Sequence, residues 1–99
     1  MDEEIISKLK KLSNEAEKYF AFDKVVLYGS YSNGTYKVDS DIDVAFFVKE
    51  INENHWQLSA RLFELADKID YRIEPVIIKA ATDKSGFAKH ILESGIVIN

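Results

Sequence analysis

The sequence predicts one small α/β domain built on a mixed sheet. Three short runs rich in β-branched and aromatic residues have the composition of strands: Val25-Val26-Leu27-Tyr28, Val44-Ala45-Phe46-Phe47-Val48, and a stretch closing on Val76-Ile77-Ile78. Longer segments of helical periodicity lie before and between them. At 99 residues, 46% of them apolar, the chain can build one core but not two, so residues 1–99 are read as a single domain.

Each element follows from its pattern. Over residues 2–20, Ile5, Leu9, Leu12, Ala16 and Tyr19 recur at four-three-four-three spacing, with Ile6 and Phe20 widening the stripe, which predicts an amphipathic helix. Lys8, Lys10 and Lys11 lie among Glu3, Glu4, Glu15 and Glu17 and read as a solvated helix face. The first strand then runs into Gly29-Ser30-Tyr31-Ser32-Asn33-Gly34, a loop of small polar residues, and the second strand leaves from Asp43. Asn52 is the expected N-cap of a helix over roughly 53–70. Its stripe is Leu58, Leu62, Leu65 and Ile69, broadened by Trp56, Phe63 and Ala66, and Trp56 is assigned to the core.

A third strand is expected from Tyr71 to Ile78. The strand–helix–strand connection is long enough for a parallel crossover, which would put this strand beside the second. Ala80 to Gly86 reads as a polar connection. A short helix then carries Phe87, Ala88, Ile91 and Leu92, with Gly95 at its C-terminal cap, and Ile96-Val97-Ile98 forms a last strand.

Composition removes several classes of function. Without cysteine there is neither a disulfide framework nor a thiolate zinc site. No apolar run reaches membrane-spanning length and the first residues are acidic, so a cytoplasmic protein is expected. A net charge of −4 argues against non-specific binding to duplex nucleic acid, which relies on many Lys/Arg–phosphate contacts.

The chemistry concentrates in two places. Asp41 and Asp43 are two residues apart at a strand entrance, so they project to one face. Asp39, Asp41, Asp43 and Glu50 match four positions of a calcium-binding EF-hand loop, but Val44 opens an apolar strand where that loop needs a sharp turn, and calcium is rejected. An Asx turn at Asp39-Ser40-Asp41 would explain the tripeptide but not Asp43. Glu74 lies inside the third strand, either facing the two aspartates or exposed on an edge and paired with Arg72, and the adjacent Pro75 fits an edge or a bulge. In the first case three carboxylates would surround space for one or two Mg²⁺ ions, which take oxygen ligands and substrate phosphates. Gly29 and Ser30, at the end of the first strand, offer close backbone approach and N–H and hydroxyl donors for an anion. His55 and His90 lie in helical segments without ligand partners.

Read together, Gly29-Ser30, Gly34 and Ser40-Asp41-Ile42-Asp43 resemble the signature of the nucleotidyltransferase superfamily that includes DNA polymerase beta, and most closely its stand-alone minimal nucleotidyltransferase domains. The resemblance covers nearly the whole chain and implies the polymerase beta-like nucleotidyltransferase fold. It implies that Gly29 and Ser30 bind the triphosphate of ATP or another nucleoside triphosphate. Asp41 and Asp43 would coordinate Mg²⁺, and Glu74 would take the third carboxylate position, helping with a metal or with deprotonation of the acceptor. By the same resemblance, such domains are often antitoxins of HEPN-type partner proteins, some acting by nucleotidylation. The acceptor site would be completed by that partner or by a second copy of the chain. Tyr31 and Asn33 stand where many relatives carry basic residues, and Pro75 is unusual after the third acid. These departures favour an alternative, a catalytically weak binding module that neutralises its partner by contact.

Overall fold

The computed structural model describes residues 3–37, 39–50, 54–79 and 85–99. In chain order they form α1 (Glu3–Ala16), β1 (Lys24–Tyr28), α2 (Ser30–Asn33), β2 (Ile42–Val48), α3 (His55–Ile69), β3 (Ile73–Lys79), α4 (Phe87–Ser94) and β4 (Ile96–Val97). The strands make one sheet in the order β3-β2-β1-β4. β2 and β3 are parallel, as the intervening helix predicts, while β1 is antiparallel to β2 and to β4. The sheet is therefore mixed.

Alternation along each strand divides the side chains between two faces. Val25, Leu27, Ile42, Val44, Phe46 and Ile73 face one way, where Ile5, Leu9, Leu12 and Ala16 of α1 and Leu62 and Ala66 of α3 bury them. Val26, Ala45 and Phe47 face the other way and meet Ala88 and Ile91 of α4. Burial of this scale supplies the main stabilisation of the fold, at roughly 25 cal/mol per Å² of apolar surface. Gly95 follows α4 and donates its N–H to Ile91 O at 2.8 Å, the cap position that the sequence predicts. Its backbone is extended, so what it provides is space: a Cβ there would collide with Val26 and with the Ile91 carbonyl.

Several expectations need correction. α1 ends at Ala16 and not near residue 20, because Phe20 and Phe22 turn inward to pack on Phe46, with ring centroids 5.9 and 5.1 Å away. Tyr19 is consequently half exposed, with the Arg61 guanidinium 5.3 Å over its ring. Trp56 is 83% exposed and Phe63 45%, so neither belongs to the core. α3 buries only the strip around Leu62 and Ala66, and a helix lying on a sheet turns its outer side to water however apolar that side is. Asn52 and residues 80–84 lie outside the described residues, and Asn54 occupies the N-cap position of α3. β3 starts at Ile73, leaving Tyr71 exposed.

The corner between α3 and β3 is held by charge. The buried Asp70 carboxylate accepts hydrogen bonds from Lys8 Nζ at 2.9 Å and from Arg72 Nε and Nη2 at 3.0 and 2.7 Å. Lys8 is thus an inter-helix tie, unlike the exposed Lys10 and Lys11. The Arg72 hydrogen bonds outweigh the desolvation of Asp70 and hold its carboxyl well below the usual carboxylate range. Asp70→Asn leaves two cations facing a neutral amide, and a loss of about 3 kcal/mol is expected at neutral pH. A depressed folded-state pKa stabilises above the unfolded value, about 4, and that contribution is lost as the pH falls further. Urea denaturation of wild type and Asp70→Asn should therefore differ constantly above about pH 5 and converge in stronger acid. A pH-independent difference would contradict this role.

Candidate active site

The site forms on the α4 face, where three strands come into register. Tyr28 of β1 is the Cα partner of Asp43 of β2, and Asp43 is the partner of Glu74 of β3. Paired residues on neighbouring strands present their side chains to the same face, so a phenol and two carboxylates form a row across the sheet. Asp41 lies two residues before Asp43, exposed at the entrance of β2. Burial first, then the charges of Glu74 and Asp41, push the Asp43 carboxyl upward. Burial also pushes the Tyr28 hydroxyl up to about 12, with Asp43 and Glu74 adding to the effect. Glu74 and Asp41 are thus each close enough to act on Asp43.

Among the described residues, no lysine or arginine forms an ion pair with any of the three. The structure takes something from each reading of Glu74: the residue is in register with Asp43 and also exposed on the edge strand β3, but it is not paired with Arg72, which turns to Asp70 and Tyr31. Nor are any three acidic, histidine or cysteine side chains among the described residues gathered into a ready cage for a metal ion. Uncompensated carboxylates repel one another, and closing them around a point requires a cation.

The Gly29 turn adjoins this row directly. Gly29 has φ 74° and ψ −150°, a conformation nearly restricted to glycine, and a Cβ there would stand 2.6 Å from Asp43 Oδ2. Its carbonyl accepts from Ser32 N at 3.1 Å and from Ser32 Oγ at 2.8 Å, which turns the chain into α2. The first amides of a helix have no intrahelical acceptor, so those of Ser30 and Tyr31 are left over by the backbone ladder.

The three residues that depart from the resemblance have structural explanations. Tyr31 is buried in the main core, stacked on Tyr36 at 4.2 Å, and its hydroxyl accepts from Arg72 Nη1 at 3.0 Å. Asn33 Oδ1 accepts from the N–H and the hydroxyl of Thr35, closing the loop. Pro75 lies on β3, an edge strand, where its missing N–H is tolerated. The sequence reading leaves Tyr28 out of the site and gives Arg72 only Glu74 as a partner, not Asp70 and Tyr31. The signals were present, since Tyr28 ends a strand next to Gly29 and Arg72 stands two residues from both Asp70 and Glu74. A cavity of about 700 Å³ lies at the opposite end of β2, lined by Phe20, Phe22, Val48, His55, Leu58 and Arg61, and shares no residue with the row of acids.

Residues 10–99 match the family described as Polymerase beta, Nucleotidyltransferase. A candidate protein adenylyltransferase of Methanocaldococcus jannaschii is 30% identical over 101 residues, spanning 96% of this chain and 99% of its own. Among solved structures, a candidate nucleotidyltransferase of Sulfolobus solfataricus superposes with a TM-score of 0.62 at 18% identity, covering 93% of this chain and 77% of the other. A toxin–antitoxin structure with AMP-PNP gives a TM-score of 0.67 at 23% identity, covering 95% and 72%. At such identities these two structures speak for the fold alone. With a family match over residues 10–99 and a relative 30% identical over almost the whole chain, this chain belongs to the polymerase beta nucleotidyltransferase family.

Proposed function

We propose that the protein transfers a nucleoside monophosphate, AMP from ATP, to a hydroxyl group of a partner protein, and that the partner is a HEPN-type toxin for which it is the antitoxin. The observation that carries this reading is the contact of Gly29 with Asp43, itself in register with Glu74. One turn able to receive phosphate thereby adjoins a group of acids without a cation of their own. The name of the Methanocaldococcus jannaschii relative supports a protein acceptor, and the toxin–antitoxin structure with AMP-PNP supports both nucleotide and partner. The row of acids lies on a partly open face and not in the 700 Å³ cavity, which leaves room for a hydroxyl carried by a macromolecule. No helix of the described residues is long and apolar enough to cross a membrane.

Asp41, Asp43 and Glu74 fit a hard divalent cation, being an all-oxygen donor set whose mutual repulsion a cation would relieve. They would hold Mg²⁺, one or two ions, which when bound neutralises phosphate charge and polarises the reacting oxygens. The remaining work is positional. Gly29 lets the triphosphate approach the backbone, and Ser30 offers its N–H and hydroxyl to the phosphate oxygens. The partner's hydroxyl oxygen attacks the α-phosphorus, the bond to pyrophosphate breaks, and Glu74 accepts the hydroxyl proton.

Transfer assays with α-labelled ATP, Mg²⁺ and the neighbouring gene product, together with melting temperatures of the ligand-free protein, test this reading. Label reaches the partner, and Asp43→Asn lowers the rate by about 10³-fold or more. Asp43→Asn also removes a crowded negative charge, so its melting temperature without ligand is equal to or above that of wild type at neutral pH. Gly29→Ala, which forces a Cβ against Asp43 in a strained conformation, lowers the melting temperature and the transfer rate together. Tight partner binding without label transfer, unaffected by Asp41→Ala and Asp43→Ala, would favour neutralisation by contact. A Gly29→Ala protein as stable and active as wild type would remove the turn from the site.

A further inference from the structure

We infer that Arg72 is a positioning residue of the transfer site: through Tyr31 it holds the Gly29-Ser30 turn in place against the row of acids. The inference rests on the proposed reading of that turn as the phosphate-binding element. Arg72 is the residue just before β3, and it acts on both halves of the site. Its carbonyl accepts the N–H of Ile42 at 2.8 Å, and Ile42 lies between Asp41 and Asp43. Its main chain therefore sets where the aspartates stand relative to Glu74, two residues further along.

Its side chain reaches the other half. Asp70 engages Nε and Nη2 together, which fixes the plane of the guanidinium and leaves Nη1 directed at Tyr31 Oη, 3.0 Å away. Tyr31 is the second residue of α2, only 5% exposed, and its ring lies flat on Tyr36 at an interplanar angle of 8°. A helix of four residues does not hold its own shape, because its few hydrogen bonds do not offset the cost of nucleation. The turn is therefore placed by what grips Tyr31. Arginine suits the task better than lysine, since a planar fork can serve a carboxylate along one edge and a phenol with the remaining nitrogen. Lys8, on the same Asp70 carboxylate, completes the anchor from α1.

Loosening this tie leaves the acids and the core intact but lets the turn stray, so its cost falls on nucleotide affinity more than on turnover. Tyr31→Phe removes one hydroxyl and keeps the buried ring; Arg72→Lys removes the fork and keeps the charge. In steady-state transfer assays each should raise the KM for ATP about tenfold, the scale of one charge-assisted hydrogen bond, while kcat changes by less than about twofold. The double variant should be no worse than Arg72→Lys alone, because both changes delete the same contact. Amide hydrogen exchange over Ser30–Gly34 should accelerate about tenfold in Tyr31→Phe, with Ile42–Val48 unchanged. An unaltered KM in Tyr31→Phe, effects that multiply in the double variant, or unchanged exchange in the turn would each overturn the inference. A wild-type protein that binds and transfers no nucleotide would sink the proposed function, whereas the exchange measurement would still decide whether Arg72 positions the turn.

Discussion

The parallel register of β2 with β3 is the constraint on which everything else depends. Ile42 donates to the carbonyl of Arg72, and from that bond onward Asp43 faces Glu74, Ala45 faces Val76 and Phe47 faces Ile78. A slip of β2 by one residue would turn Asp43 toward α1 and α3, away from Glu74, and lift Val44 out of the core. The burial of Ile42, Val44 and Phe46 against those helices is what forbids the slip. The same apolar alternation that stabilises the sheet therefore aims its acids.

The site carries local costs that this core absorbs. Asp43 stands near two other acids without a cationic partner among the described residues, and Gly29 holds a conformation open to almost no other residue. Both features are unfavourable for folding alone, and under the proposed function they are what would gather a cation and a polyphosphate. Opposite choices govern the α3–β3 corner, where Asp70 has two cations and its carboxyl stays ionised. Acids of the same kind thus do different work a few residues apart. Asp70 anchors, with Lys8 and Arg72 on its carboxylate, whereas Glu74 forms no ion pair among the described residues.

Much of this was legible before the coordinates. Three strands appear as β-rich runs, the crossover length implies the parallel pair, and the spacing of Gly29-Ser30 from Asp41 and Asp43 carries the family resemblance. The misreadings share a cause. Helical periodicity reports which direction is apolar but not how wide a strip the neighbours will cover, so it points Trp56 and Tyr19 inward although Trp56 is exposed and Tyr19 half exposed. The sequence sets Lys8 beside Lys10 and Lys11 because its partner, Asp70, is 62 residues away and nothing local announces it. Arg72 is offered to Glu74 in the sequence, and its bond to Tyr31 stays hidden for the same reason, since it spans 41 residues. Contacts of that range exist only once the sheet has formed.

Crystals grown with Mn²⁺ and a non-hydrolysable ATP analogue put the shared site to the most direct test. The expected result is an anomalous manganese signal between Asp41, Asp43 and Glu74, with the triphosphate lying against Gly29 and Ser30. A metal bound away from those carboxylates, or a nucleotide seated in the cavity at the far end of β2, would contradict it.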